Sequence, residues 1–180
     1  YNLSFDRNSY EELVEQMQIS PAVQTQLVAA YLAGTIEEED KQIAEKVVQI
    51  RNVAAIIQKN RPHVLMMAEF NNDGNGQDKT ALIGFQTNYL SIPQSSLGAG
   101  EAADLEPIEY PFFESYATNT GLKSGLDLNN DGKVNQFDAW GFGRYHGQYA
   151  FALMSQYEID SEKTRTFQTF KWKDLEGASN

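Results

Sequence analysis

RPHVLMMAEF, Arg61 to Phe70, is a proline stop followed by five apolar residues, Val64 to Ala68, and then a glutamate. So short and uniformly apolar a run reads as a strand buried on both faces, with Glu69 carried to its C-terminal end. Immediately upstream, apolar residues recur at Ile36, Ile43, Val47, Ile50, Ala54 and Ile57, the stripe of a long helix. The acidic run Glu37 to Asp40 lies at the helix start, where the dipole favours negative charge, and reads as a solvated first turn. Before it, SPAVQTQLVAAYLAG predicts a helix capped by Ser20, opened by Pro21 and stopped by Gly34. The chain begins with YNLSFDR, which alternates apolar and polar residues without a preceding turn, as expected of a strand whose earlier residues lie outside this sequence. Strand, long helix and second strand in this order make a layered α/β (α+β) arrangement, in which ligand sites lie beyond strand ends. Glu69 is therefore placed to do chemistry.

Downstream, a Gly/Asn-rich loop leads to KTALIGFQTNYL, a short helix, and Ser91 to Glu109 is Pro/Gly/Ser-rich loop. YPFFESYAT, YAFALMSQYEI and TRTFQTFKW alternate or are aromatic-rich and are predicted as strands. The last two carry aromatic residues on both alternating faces, which calls for cover from more than one side.

With 180 residues, 41% of them hydrophobic, the chain is one domain or part of one. Its 14 basic and 25 acidic residues give a net charge of −11, which repels phosphate backbones and argues against charge-driven nucleic-acid binding. No apolar run reaches the ~18 residues of a membrane span. The absence of cysteine excludes disulfides and thiolate metal sites.

DLNNDGKVNQFD, Asp127 to Asp138, has the spacing of a calcium loop. Calcium takes oxygens from alternate positions of such a loop, which turns on a glycine and closes with a carboxylate. Asp127, Asn129, Asp131, the backbone carbonyl of Lys133, Asn135 and Asp138 supply the oxygens, and Gly132 the turn. Closure by aspartate rather than glutamate resembles the dockerin-type variant. The competing structural account is an Asx-rich turn. The preceding NTGLKSG is turn-forming, so a helix-opening sensor is not expected; the ion would staple an insertion at about 119–143. A loop of this low charge suits millimolar calcium, and a secreted or periplasmic location is expected. Asn71, Asp73 and Asn75 repeat the spacing without a closing acid, a weaker second candidate.

YNLSF with Asn2, RPHVLMMAEF with Glu69, and GQYAFALMSQYEI followed by RTFQTFKWKDL together resemble the strand motifs of the endonuclease/exonuclease/phosphatase superfamily, the deoxyribonuclease-I-like fold. The last two resemble a branch of large secreted bacterial members that carry a calcium-loop insertion. The resemblance implies a four-layer α/β sandwich, of which residues 1–180 would be the N-terminal half. It also implies a complementary C-terminal segment supplying a further Asp-x-Asn pair and a late Asp-His pair. Glu69 and Asn2 are, by that resemblance, the ligand of a catalytic Mg2+ (or Mn2+) and its partner. The chemistry agrees: phosphoester cleavage uses a hard carboxylate to hold the ion, and a neutral amide can orient that carboxylate without adding charge. Spacing alone would favour a strand-end charge at Glu69 and a capping or turn residue at Asn2. Asn2-Leu3-Ser4 also fits a glycosylation acceptor, which a strand disfavours.

A phosphate ester needs donors, and GFGRYHGQY supplies Arg144, Tyr145, His146 and Tyr149 just before a core strand. The resemblance implies a phosphate-contacting tyrosine here. Tyr145 and Tyr149 both remain open, with Tyr149 preferred, and His146 reads as a loop hydrogen-bonder. Asn71 stands where DNA-cleaving members carry a basic residue, which argues with the charge against a general DNase. GAGEAA, Gly98 to Ala103, fits a dinucleotide fingerprint only formally, having no strand before it. The expected function is metal-dependent hydrolysis of a phosphate ester: nucleic acid, a phospholipid head group or a small molecule. The rival reading is a catalytically silent, calcium-stabilised binding or adhesion module.

Overall fold

The structure, a computed structural model, describes residues 1–177. Strand β1 (Asn2–Phe5) leads to helices α1 (Tyr10–Met17), α2 (Pro21–Leu32) and α3 (Glu38–Asn60). Then come β2 (Val64–Phe70), α4 (Thr80–Phe85) running into a π-helical turn over Gln86–Leu90, β3 (Phe112–Ser115) and β4 (Phe151–Ser155). The strands form one mixed sheet in the order β1-β2-β4-β3, with β1 parallel to β2 and the other pairs antiparallel. A helical layer and this sheet make a mixed α/β fold.

The helices form where the sequence supplies both a stripe and a stop. In α3 the stripe Val47, Ile50, Ala54 and Ile57 is buried, and the helix ends at Arg61, whose φ of 48° is left-handed before Pro62. Helix α1 was not expected from the sequence, though its capping signal is there: the Ser9 hydroxyl accepts from Glu12 N–H at 3.2 Å. Its Tyr10, Leu13 and Met17 pack beside Phe5, Phe70, Phe85 and Tyr89 in one core. The long connection before β3 has no regular element but is pinned by buried amides. Gln86 accepts from Tyr110 N–H and donates to the Ile108 carbonyl, and Gln58 donates to the carbonyls of Leu90 and Ile92.

β2 departs from the expectation of burial on both faces. Leu65 and Met67, with Ala152 and Met154 opposite them on β4, face the helices and are buried. Val64, Met66, Phe112 and Phe151 point the other way and are 37% to 54% exposed. Among the described residues the helices cover one side of the sheet only. TRTFQTFKW is not a strand. The chain turns at Asp160, whose carbonyl accepts from Lys163 and Thr164 N–H, and again where Phe170 N–H meets the Phe167 carbonyl. Alternation alone does not make a strand without a ladder partner. This segment instead lies against the insertion, Asn119 donating to the Gln168 carbonyl at 2.7 Å and Gln168 to the Thr118 carbonyl at 3.1 Å.

Candidate active site

Because β1 and β2 are parallel, their C-terminal ends open on the same side of the sheet, and the register between them slips between Asn2 and Phe5. Glu69 sits beside that irregularity with a φ of 58°. Its Oε1 accepts from Asn2 Nδ2 at 2.8 Å. Asn2 is fixed in turn, since its Oδ1 accepts from Ser4 N–H at 2.9 Å. Glu69 Oε2 has no hydrogen-bond partner among the described residues. Asn2 and Glu69, read from the sequence as a pair, are thus brought together with one carboxylate oxygen available.

Asp6, just past the end of β1, was missed in the sequence. It gathers the donors of the GFGRYHGQY segment: Gln148 Nε2 at 2.6 Å on Oδ1, and Arg144 Nη2 and the Tyr149 hydroxyl both at 3.3 Å on Oδ2. The signal that could have found it is the one that found Glu69, a carboxylate beyond a strand's C-terminal end. Gln148 is fully buried, and its other amide atom accepts from Arg144 N–H at 2.7 Å, so one side chain shapes the loop and holds Asp6. Arg144 keeps half of its side chain in solvent. Burial, then the charge of Asp6, raises the Tyr149 pKa, so the phenol stays a proton donor.

Of the two tyrosines, Tyr145 turns inward. Its hydroxyl reaches the Arg7 carbonyl and accepts from Asn71 Nδ2, and burial raises its pKa. Asn71 is buried and also takes Tyr149 N–H on its Oδ1 at 3.1 Å. It therefore braces both tyrosines and does not join Asp73 in a second calcium loop; the Asp73 carboxylate instead accepts from Gly76, Gln77 and Asp78 N–H. His146 Nε2 meets the Thr118 carbonyl at 2.9 Å, a loop contact. Beneath the site, the buried Arg7 guanidinium binds Gln16 on α1 and Gln49 on α3, and burial lowers its pKa. Ser4, Glu69 and Tyr149, three of the five non-glycine residues with left-handed backbone among the described residues, lie at this site. Backbone held in so sparsely populated a region collects at functional sites.

Glu69, with Oε2 unpartnered among the described residues, could contribute one carboxylate oxygen to a divalent ion such as magnesium. Such ions are held by one or two carboxylates together with substrate phosphate oxygens, not by an all-protein cage. Among the described residues no group of three or more His, Asp or Glu side chains could hold a metal by itself.

The insertion is closed by its own stem: Gly121 N–H meets the Gly141 carbonyl at 2.8 Å and Trp140 N–H the Leu122 carbonyl at 2.9 Å. At its tip the Asp127 carboxylate accepts from Asp131 and Gly132 N–H, the Asn129 carbonyl oxygen from Asp131 N–H and Asp131 Oδ1 from Lys133 N–H. Asn135 Oδ1 accepts from Phe137 N–H. The side-chain oxygens of Asp127, Asn129 and Asp131 thus order one tight turn, and among the described residues no three acidic or histidine side chains converge on a common point. Asp138 has no exposed surface because its own loop wraps it, and it accepts from Asn135, Leu128 and Asn129 N–H. The Asn135 bond first, then the other two, hold its pKa below the ordinary carboxylate range, against the cost of burial. A depressed folded pKa means this support is complete above the unfolded value and is lost as pH falls through the folded one.

A sequence model described as "Endonuclease/Exonuclease/phosphatase family" matches residues 32–180. No curated protein and no solved structure matches the chain.

Proposed function

Because the chain belongs to the endonuclease/exonuclease/phosphatase family, whose members hydrolyse phosphoester bonds and commonly use divalent metals, we propose that Glu69 holds a catalytic magnesium or manganese ion in such a reaction. The observation that carries this reading is the Asn2–Glu69 hydrogen bond, which joins the first residue of β1 to the penultimate residue of the parallel β2. When bound, the ion supplies Lewis-acid polarisation of the phosphoryl oxygen. Asn2 keeps the Glu69 carboxylate oriented and leaves Oε2 for the cation. Arg144 offers a charged N–H fork to a phosphate oxygen, and the Tyr149 hydroxyl a neutral donor. Asp6 is a positioning residue: it sets the directions of Arg144 and Tyr149 and, through Gln148, the loop that carries both.

Asp6→Asn tests this arrangement. The amide keeps the size and one acceptor but releases the Arg144 charge, so kcat should fall roughly tenfold to a hundredfold. KM should rise less, because both donors can still reach a phosphate from altered positions, and the melting temperature should hold. A purely structural Asp6 would lower the melting temperature and leave kcat per folded molecule unchanged.

Three further parts complete the proposal. The loop of Asp127, Asn129, Asp131, Lys133, Asn135 and Asp138 binds Ca2+ for stability. What supports this reading is that the side chains of Asp127, Asn129, Asp131, Asn135 and Asp138 all hydrogen-bond the backbone of the one turn. Binding to the folded state alone should raise the melting temperature by mass action, about 2.7 kcal/mol of stabilisation at a hundredfold excess over Kd. A melting curve that ignores calcium would reduce the loop to an Asx turn. The open sheet face of Val64, Met66, Phe112 and Phe151 is covered by a complementary C-terminal segment of the same protein, since a contiguous apolar sheet face is seldom left in water. A secreted or periplasmic location accords with a low-charge calcium loop. Among the described residues no helix is long and apolar enough to cross a membrane.

A further inference from the structure

Phe137, Phe142 and Tyr149 form a column of rings. Phe142 lies on Tyr149 with centroids 6.1 Å apart and planes inclined by 21°, and Phe137 continues the row at 5.8 Å and 37°. The two phenylalanines come from the insertion, while Tyr149 belongs to the candidate active site and touches Asp6 through its hydroxyl. Phe137 is 62% exposed and Phe142 52% exposed. The rings therefore do not serve the core, and an exposed apolar row ending at a charged site is a ligand surface.

We propose that this column is a subsite for a planar aromatic ring, the base of a nucleotide, whose phosphate is held by Arg144 and the Tyr149 hydroxyl. The proposal rests on the phosphoester reading of the site and narrows its substrate class. Faces of aromatic side chains accept any base because every base has a π-face. Arg144 and Tyr149 stand at one end of the row, so a ligand with a phosphate at one end and a flat ring at the other matches the order of groups. The net charge of −11 disfavours a long polyanion and favours a ligand with few phosphates. The insertion would then serve recognition as well as stability: the loop that carries the calcium-binding spacing also carries Phe137, between Asn135 and Asp138 in sequence. Ordering of that loop fixes the outer ring of the row.

The test compares AMP with ribose 5-phosphate, which differ by the base alone, in equilibrium binding to the intact protein with calcium and without magnesium. Wild type should bind AMP at least about tenfold more tightly, the lower end of what stacking on one ring supplies. That preference should collapse towards unity in Phe142→Ala, shrink in Phe137→Ala and survive in Phe142→Tyr, with ribose 5-phosphate affinity constant throughout. Equal binding of the two ligands by wild type, binding of neither, or a preference that persists in both alanine variants overturns the subsite. Phe137→Ala, on an exposed loop position, keeps the test decisive if Phe142→Ala does not fold. The hydrolase reading is judged separately, by magnesium-dependent cleavage in wild type and Glu69→Gln. Base preference without cleavage would keep the subsite and remove the hydrolase; cleavage without base preference would do the reverse.

Discussion

Glu69→Gln in the intact protein is expected to reduce magnesium-dependent cleavage of an aryl phosphodiester by at least about a thousandfold, a loss on the order of 4 kcal/mol in the transition state. The substitution removes one charge and almost no volume. Its amide oxygen can still accept from Asn2 Nδ2, the bond that holds the carboxylate at 2.8 Å, and the strand beneath it stays packed through Met67 and Phe70. The melting temperature should therefore stay within about 2 °C of wild type, as for a partly exposed residue whose packing is untouched. Equal cleavage rates in an active wild type and the variant would remove Glu69 from the mechanism. Arg144 and Tyr149 would then have to act around some other centre.

Gly147→Ala should damage both stability and turnover. Gly147 has a φ of 100°, and a Cβ there would stand 2.1 Å from the Asn72 carbonyl oxygen and 2.6 Å from Gly74 N, both backbone atoms that cannot swing aside. The Asn72 N–H bond to the Gly147 carbonyl, at 3.0 Å, would break as the two loop segments separate. Strain and clash together should cost about 3 kcal/mol or more. For a chain of this size that lowers the melting temperature by roughly 6 to 12 °C. Gly147 lies between Arg144 and Tyr149, so the shift also misdirects both donors from Asp6, and kcat/KM should drop beyond tenfold in the fraction still folded. Gly125→Ala is the control. Its φ of 78° carries similar strain but nothing lies within 4 Å of the added carbon, so it should cost only about 1 kcal/mol and leave turnover unchanged. Matching effects at the two positions would mean that the close approach of the 144–149 loop to Asn72 is not what holds the site.

What the sequence made legible were the features written in neighbouring residues. The stripe Val47, Ile50, Ala54 and Ile57 of α3, the stop before Pro62 and the strand that carries Glu69 near its end each depend on a local pattern, and each stands where the pattern put it; the spacing from Asp127 to Asp138 is equally local. Asp6 was hidden because its role depends on partners more than 130 positions away, Arg144, Gln148 and Tyr149. Asn71 misled for the same reason: its spacing pointed to Asp73, while the fold turns it to Tyr145 and Tyr149. TRTFQTFKW alternated as a strand does, yet pairing is a property of two segments, and the hydrogen bonds from Asn119 and Gln168 fix it differently. The row from Phe137 through Phe142 to Tyr149 could not be seen at all, since three rings at uneven spacing align only after the insertion's stem has closed.

The most direct measurement is of the ion itself. Manganese binding to the intact protein, followed by electron paramagnetic resonance in excess calcium with inorganic phosphate present, reads Glu69 without reference to any substrate. The account predicts one bound manganese ion in wild type, displaced by magnesium and lost in Glu69→Gln, with the calcium-dependent melting shift the same in both proteins. Equal manganese binding by wild type and Glu69→Gln, or none by either, would contradict a metal site at Glu69 and leave a calcium-stabilised binding module as the better description of this chain.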